Sequence, residues 1–155
     1  MYAYAYGKGA EVVAKMNIQM PEDLLLKMSK LGSEFDSTAE KVLQAGGEVM
    51  FSAVKNSLSA VVGKDTKYPS KSTCELERSL GLSPVLQDKN GDHNIKVGFS
   101  EPRSDGGSNA KLASILEYGK SGQPAKPFVK PAKIKAKSAA ITAMQNELES
   151  EVDKL

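Results

Sequence analysis

From Phe35 to Val62 apolar residues recur at spacings of three and four, and this run limits the fold more than any other feature. Phe35, Ala39, Val42, Leu43, Val49, Met50, Ala53, Val54, Leu58, Val61 and Val62 share a helical periodicity. Ser33 offers an N-cap and Gly63 a stop. The expected helix has about 30 residues and a length of about 45 Å. Gly46-Gly47 lies in its middle, where each glycine costs about 1 kcal/mol relative to alanine. The pair predicts a bend, a break or a close helix crossing. A chain of 155 residues suits one domain around one core.

Residues 1–16 read as an N-terminal extension. Tyr2, Tyr4 and Tyr6 alternate with Ala3 and Ala5, the period of a short strand or adhesive arm. Residues 17–155 read as a single domain. Asn17 to Met20 is extended, because Pro21 disfavours the helical conformation at Met20. Pro21, Glu22 and Asp23 open a short helix with Leu24, Leu25, Met28 and Leu31 on its apolar face. After the long helix, residues 64–72 form a loop. Ser72 or Thr73 caps a short helix over Cys74–Leu80. Leu82 to Leu86 reads as a strand that Pro84 confines to an edge or a bulge. Asn90-Gly91 is a turn signal. Ile95, Val97 and Phe99 alternate with Asn94, Lys96 and Gly98, as in a half-buried strand. Residues 100–108 read as a mobile loop, and Asn109 as the cap of a short helix. A last helix runs from about Pro131 to the end, with Ile134, Ile141, Met144, Leu148, Val152 and Leu155 as its apolar stripe. Helices, a small antiparallel sheet and a closing helix make an α+β fold.

Little catalytic chemistry is on offer. His93 is the one histidine and sits beside a turn, without a second histidine for a zinc site. Cys74 is the one cysteine, which rules out an internal disulfide, and no neighbouring cation lowers its pKa. An enzyme with Cys74 as nucleophile is the weakest alternative. No nucleotide-binding glycine motif occurs. Asp88, Asn90 and Asp92 begin like a calcium loop, but the twelfth position is Phe99. No apolar run approaches the ~20 residues of a membrane span. The expectation is therefore a protein that is not an enzyme, with no cofactor, metal, membrane or small-molecule partner.

Charge is less ordinary. The formal net charge of +2 is too small to argue for nucleic acid alone. Yet no acid lies between Glu117 and Glu147, while Lys120, Lys126, Lys130, Lys133, Lys135 and Lys137 fall in that interval. Glu147, Glu149, Glu151 and Asp153 then crowd the end. A helix prefers the opposite order, by about 0.3–1 kcal/mol for each charge. Three readings stand: a solvated face, pairing between copies of the chain, or a basic surface for nucleic acid.

The segment LEYGKSGQPAKPFVKPA, residues 116–132, has too much proline and glycine for a long helix and too many apolar side chains for a linker. Its Leu116-Glu117-Tyr118-Gly119 and Pro127-Phe128-Val129-Lys130-Pro131-Ala132 blocks resemble the small head–tail connector, or tail-completion, proteins of long-tailed bacteriophages and prophages. Ser72-Thr73-Cys74-Glu75-Leu76-Glu77-Arg78-Ser79-Leu80 is similar to a second family element, with Cys74 at a position where glycine is usual. Lys96-Val97-Gly98 is similar to a third. The resemblance covers about residues 17–155. It implies a structural virion component of the neck or tail that assembles in the host cytoplasm into a ring-type homo-oligomer and contacts neighbouring neck and tail proteins, and the lysine-rich interval adds nonspecific contact with DNA as an expectation. The matching blocks make Glu117, Tyr118, Gly119, Pro127, Phe128, Val129, Lys130 and Pro131 candidate interface residues, and the reversed charges of the last helix add Lys133, Lys137, Glu147 and Glu151. The alternative is a nucleic-acid-binding regulator that uses the Lys120–Lys137 segment.

Overall fold

In the computed structural model, the residues described are 16–29, 32–66, 69–70 and 72–154. The tyrosine-rich residues 2–6 lie outside them. The sequence first forms strand β1 (Met16–Gln19) and helix α1 (Glu22–Met28). The Pro21 carbonyl accepts from the N–H groups of Leu24 and Leu25, so the proline stands one residue ahead of the helix it starts. A 3₁₀ turn (Gly32–Glu34) then leads into α2 (Phe35–Val61). That turn displaces the expected cap: Glu34, not Ser33, holds the N-cap position, and it makes no side-chain cap bond.

Helix α2 is continuous through Gly46-Gly47, and the pair serves a close crossing. Adjacent helical residues point about 100° apart, so the two glycines meet different neighbours. A Cβ at Gly46 would lie 2.6 Å from Cγ of Met144 in the last helix, α5 (Val129–Val152). One at Gly47 would lie 3.0 Å from Cδ1 of Ile95 in the sheet. Helix α2 thus packs on α5 along one side and on the sheet along another.

The sheet is antiparallel. Its central strand is β4 (His93–Phe99), with β1 on one side. On the other side run β2 (Leu80–Leu82) and β3 (Leu86–Gln87). The register passes from Leu82 opposite Val97 to Leu86 opposite Asn94, so residues 83–85 face only residues 95–96. This is a bulge, and Pro84 occupies it as expected. Ser83 holds it in place by exchanging hydrogen bonds with the Lys96 backbone at 2.8 and 2.9 Å. Ile95, Val97 and Phe99 are buried, as their alternation predicts.

Two short helices complete the chain, α3 (Glu75–Ser79) and α4 (Asn109–Tyr118). Cys74 occupies the N-cap position of α3 with φ 58° and ψ 13°, so it adopts the left-handed conformation despite being a cysteine. His93 departs from the exposed-loop expectation. It begins β4, stacks edge-on against Phe35, and lies 3.3 Å from the Asp36 carboxylate.

The buried stripe of α5 keeps Met144 and Leu148 of the expected one and replaces the rest with alanines. Ala132, Ala136, Ala140, Met144 and Leu148 face inward, while Ile134 is 69% exposed and Val152 45%. At Gly46 the missing side chain makes room for Met144 of α5.

Candidate functional site

The strap between α4 and α5 is built on Glu117. Its side chain is buried, and its two carboxylate oxygens accept three backbone N–H groups. Oε2 accepts from Phe128 at 2.7 Å and Val129 at 2.9 Å, and Oε1 from Lys130 at 3.0 Å. These are the first amides of α5, which have no partner inside the helix. The next residue, Pro131, has no N–H to satisfy. The first helical bond runs from Ala132 N–H to the Phe128 carbonyl. All four leading positions are therefore accounted for by one acid and one proline. The acid that α5 lacks in its own first turn is supplied by α4, at the end of the helix dipole where negative charge is favoured.

The remaining strap residues hold that geometry. Gly119 ends α4 with φ 78° and ψ 178°, and a Cβ there would meet the Ala125 nitrogen at 2.8 Å and the Gln123 carbonyl oxygen at 2.9 Å. Only glycine fits. Lys120 and Gln123 exchange backbone hydrogen bonds across a two-residue turn. Lys126 N–H donates to the Leu116 carbonyl, and its ammonium donates to the carbonyls of Lys64 and Asp65 beyond the end of α2. Phe128 is fully buried, edge-on to Phe99 with ring centres 6.3 Å apart.

The structure thus divides the candidate interface residues. Glu117 and Phe128 are anchors inside the chain, Gly119 is the hinge, and Val129 is half-buried. Tyr118, Pro127, Lys130, Pro131, Lys133 and Lys137 are exposed around the same strap and the first half of α5. At the far end, Glu147 is half-buried. Glu151 is buried and pairs within the chain, 2.5 Å from Lys41 and also with Lys154. Those ammonium donors, Lys154 first and then Lys41, hold the Glu151 carboxyl below its ordinary value of 4.5.

One cluster was not legible as a site. Residues 100–108, expected to be mobile, are tied to α3 and α4. The Glu75 carboxylate accepts from Ser104 N–H at 2.6 Å and Ser104 Oγ at 2.8 Å, with Arg103 at 3.7 Å. The Ser104 bonds, then Arg103, lower the Glu75 pKa. Asp105 is lowered too, by Gly107 N–H first and then by Arg103. Asn109 is buried and bridges the Ser100 carbonyl and the Arg103 guanidinium. Ser108, not Asn109, caps α4. The short spacing of Glu101, Arg103, Asp105 and Asn109 was the available signal, masked by the glycines and serines among them. A pocket of about 230 Å³ opens beside this cluster, lined in part by Val62, Leu76, Leu112 and Leu116. Cys74 is exposed. Among the described residues, no group of three or more His, Cys, Asp or Glu side chains could hold a metal, and no helix is long and apolar enough to cross a membrane.

A family model described as "Bacteriophage HK97-gp10, putative tail-component" matches residues 22–119, from the start of α1 to the Gly119 hinge. No curated protein and no solved structure matches the chain significantly.

Proposed function

Because the chain belongs to the HK97-gp10-like family of bacteriophage tail components, we propose that it acts as a head–tail joining or tail-completion component, working through oligomeric assembly at the neck or tail. Family membership makes it a structural phage protein. The more specific role is supported by one observation: the strap is fixed from inside while its outer residues stay exposed. Glu117 and Phe128 lock residues 117–130, so Tyr118, Pro127, Lys130 and Pro131 are displayed with little conformational freedom left to lose on docking. The partners are further copies of the chain and neighbouring neck and tail proteins, with no substrate or cofactor.

Complementation tests the role. Phage lacking the chain accumulate unjoined heads and tails, or unfinished tails, and the wild-type chain restores plating. Tyr118→Arg, in a protein whose circular dichroism is unchanged, restores it poorly. Normal particles without the chain would refute the reading.

A second reading, nonspecific contact with DNA, draws support from the exposed Lys130, Lys133, Lys135 and Lys137. It predicts weak binding that disappears as salt rises, with a log–log slope of about −0.9 for each phosphate contact. Tight sequence-selective binding would favour the regulator alternative instead.

A further inference from the structure

Helix α5 shows two oppositely charged exposed faces that point in different directions. Its buried positions Ala132, Ala136, Ala140, Met144 and Leu148 are spaced by four residues. Four residues turn the helix by about 400°, so each step rotates the buried stripe by about 40°, and four steps rotate it by about 160°. The exposed side turns with it. Near the start of α5 the exposed face carries Lys130, Lys133 and Lys137 to one side of the 69% exposed Ile134. Near the end it carries Glu149 and Asp153. At about 100° per residue, the centres of these lysines and acids lie roughly 150° apart around the axis. Lys135 falls off the lysine face. Among the described residues, none of these five charged side chains takes part in an ion pair, whereas Glu151 is paired with Lys41 and Lys154.

We propose that copies of this chain join head to tail through α5, the lysine face at its start docking on the acidic face at its end in the next copy. This rests on the assembly reading above and adds the surface and its partner. Charge complementarity identifies the occupant as a second copy, because the basic and acidic faces carry opposite signs. The angle between them decides the symmetry. A two-fold pair must place one self-complementary patch against itself. Lysines and acids roughly 150° apart cannot lie in one such patch, so a two-fold pair satisfies neither face fully. A head-to-tail contact uses one face from each copy and leaves a free face at each end. It therefore continues into a ring, or a filament if the rotation does not close. Exposed charges this far from their own helix's preference make the contact sensitive to salt.

Zero-length carbodiimide cross-linking of the full-length protein at low salt tests the proposal, with ¹⁴N- and ¹⁵N-labelled chains mixed. The expected result is a ladder extending beyond dimer. Its mixed-isotope peptides join Lys130, Lys133 or Lys137 to Glu149 or Asp153. The variant Lys133→Glu/Lys137→Glu loses the ladder, as does Glu149→Lys/Asp153→Lys, and a chain carrying all four changes regains it. Products that stop at dimer, an absence of these peptides, or charge reversals without effect would overturn the proposal. Mass spectrometry of purified particles separates the two levels. A chain present in particles but without the ladder means that this surface is wrong. A chain absent from particles means that the assembly reading beneath it is wrong.

Discussion

The carboxylate of Glu117 stands where water or a local cap would otherwise meet three amides of α5. A hydrogen bond to a charged group contributes about 1.5–3 kcal/mol, and water can reach part of this site when the acid is removed. Glu117→Ala should therefore cost about 3 kcal/mol and lower the melting temperature by roughly 6–12 °C for a chain of this size. Glu117→Gln keeps one acceptor oxygen and should cost about half as much. Calorimetry reads both, and an unchanged melting temperature in Glu117→Ala would contradict the cap. Cys74 gives the opposite sign. Holding a cysteine in the left-handed region costs about 1–2 kcal/mol, and glycine gives back roughly 0.5–1 kcal/mol through its unfolded-state entropy. Cys74→Gly should raise the urea midpoint by a net stabilisation of about 0.5–1 kcal/mol. Glu151 has a pH signature. Its carboxyl is held low in the folded chain by Lys154 and Lys41, so its contribution is present above the ordinary value of 4.5 and is lost as pH falls through the lower folded value. Glu151→Gln should flatten the acid limb of the stability curve, measured by urea unfolding at successive pH values. At this scale the sequence singled out the strap, since Glu117, Gly119, Phe128 and Pro131 stand in one short block. It did not show that Glu117 and Phe128 point inward. An acid eleven residues from the amide it accepts has no local signature.

Helix α2 was legible because its large apolar residues recur with helical spacing along the whole run. The crossing at Gly46 was legible as one of three outcomes. Which one occurs depends on α5, whose contribution lies nearly a hundred residues away. The inward face of α5 was legible at Met144 and Leu148 but not at its alanines. Alanine has weak apolar contrast, so the isoleucines dominate the periodicity while the alanines do the packing. The prediction is a coupling between Gly46 and Met144. Gly46→Ala introduces a Cβ at 2.6 Å from Met144 Cγ, and overpacking of this kind costs about 1–3 kcal/mol, against about 1 kcal/mol gained in helix propensity. In the Met144→Ala background the clash is absent and the same change should be neutral or stabilising. A double-mutant cycle by denaturant unfolding should therefore give a coupling of about 0.5–3 kcal/mol. Purely additive effects would mean that the helices do not meet there. The bulge at Pro84 was read correctly because proline has no N–H for a ladder, a constraint that does not depend on distant residues. The loop over residues 100–108 was misread because composition alone hides the Glu75–Ser104 and Asn109–Ser100 bonds.

In the whole molecule, internal bonds fix the surface that is offered outward. Lys126 ties the strap to the end of α2, Glu117 ties it to α5, and Phe128 ties it to the sheet through Phe99. The reversed charges of α5 then divide into two groups. Glu117 serves the positive end of its dipole, and Lys41 and Lys154 surround Glu151 near the other end. Lys130, Lys133, Lys137, Glu149 and Asp153 make no ion pair among the described residues, and the proposed contact between copies uses them. The proposed function requires the chain to assemble. Multi-angle light scattering over a range of protein concentrations, alone and with purified neck and tail proteins added, tests it most directly. The account predicts a mass that rises above the monomer in multiples of the chain and falls back at high salt. A monomer at every concentration, with and without those partners, would contradict it.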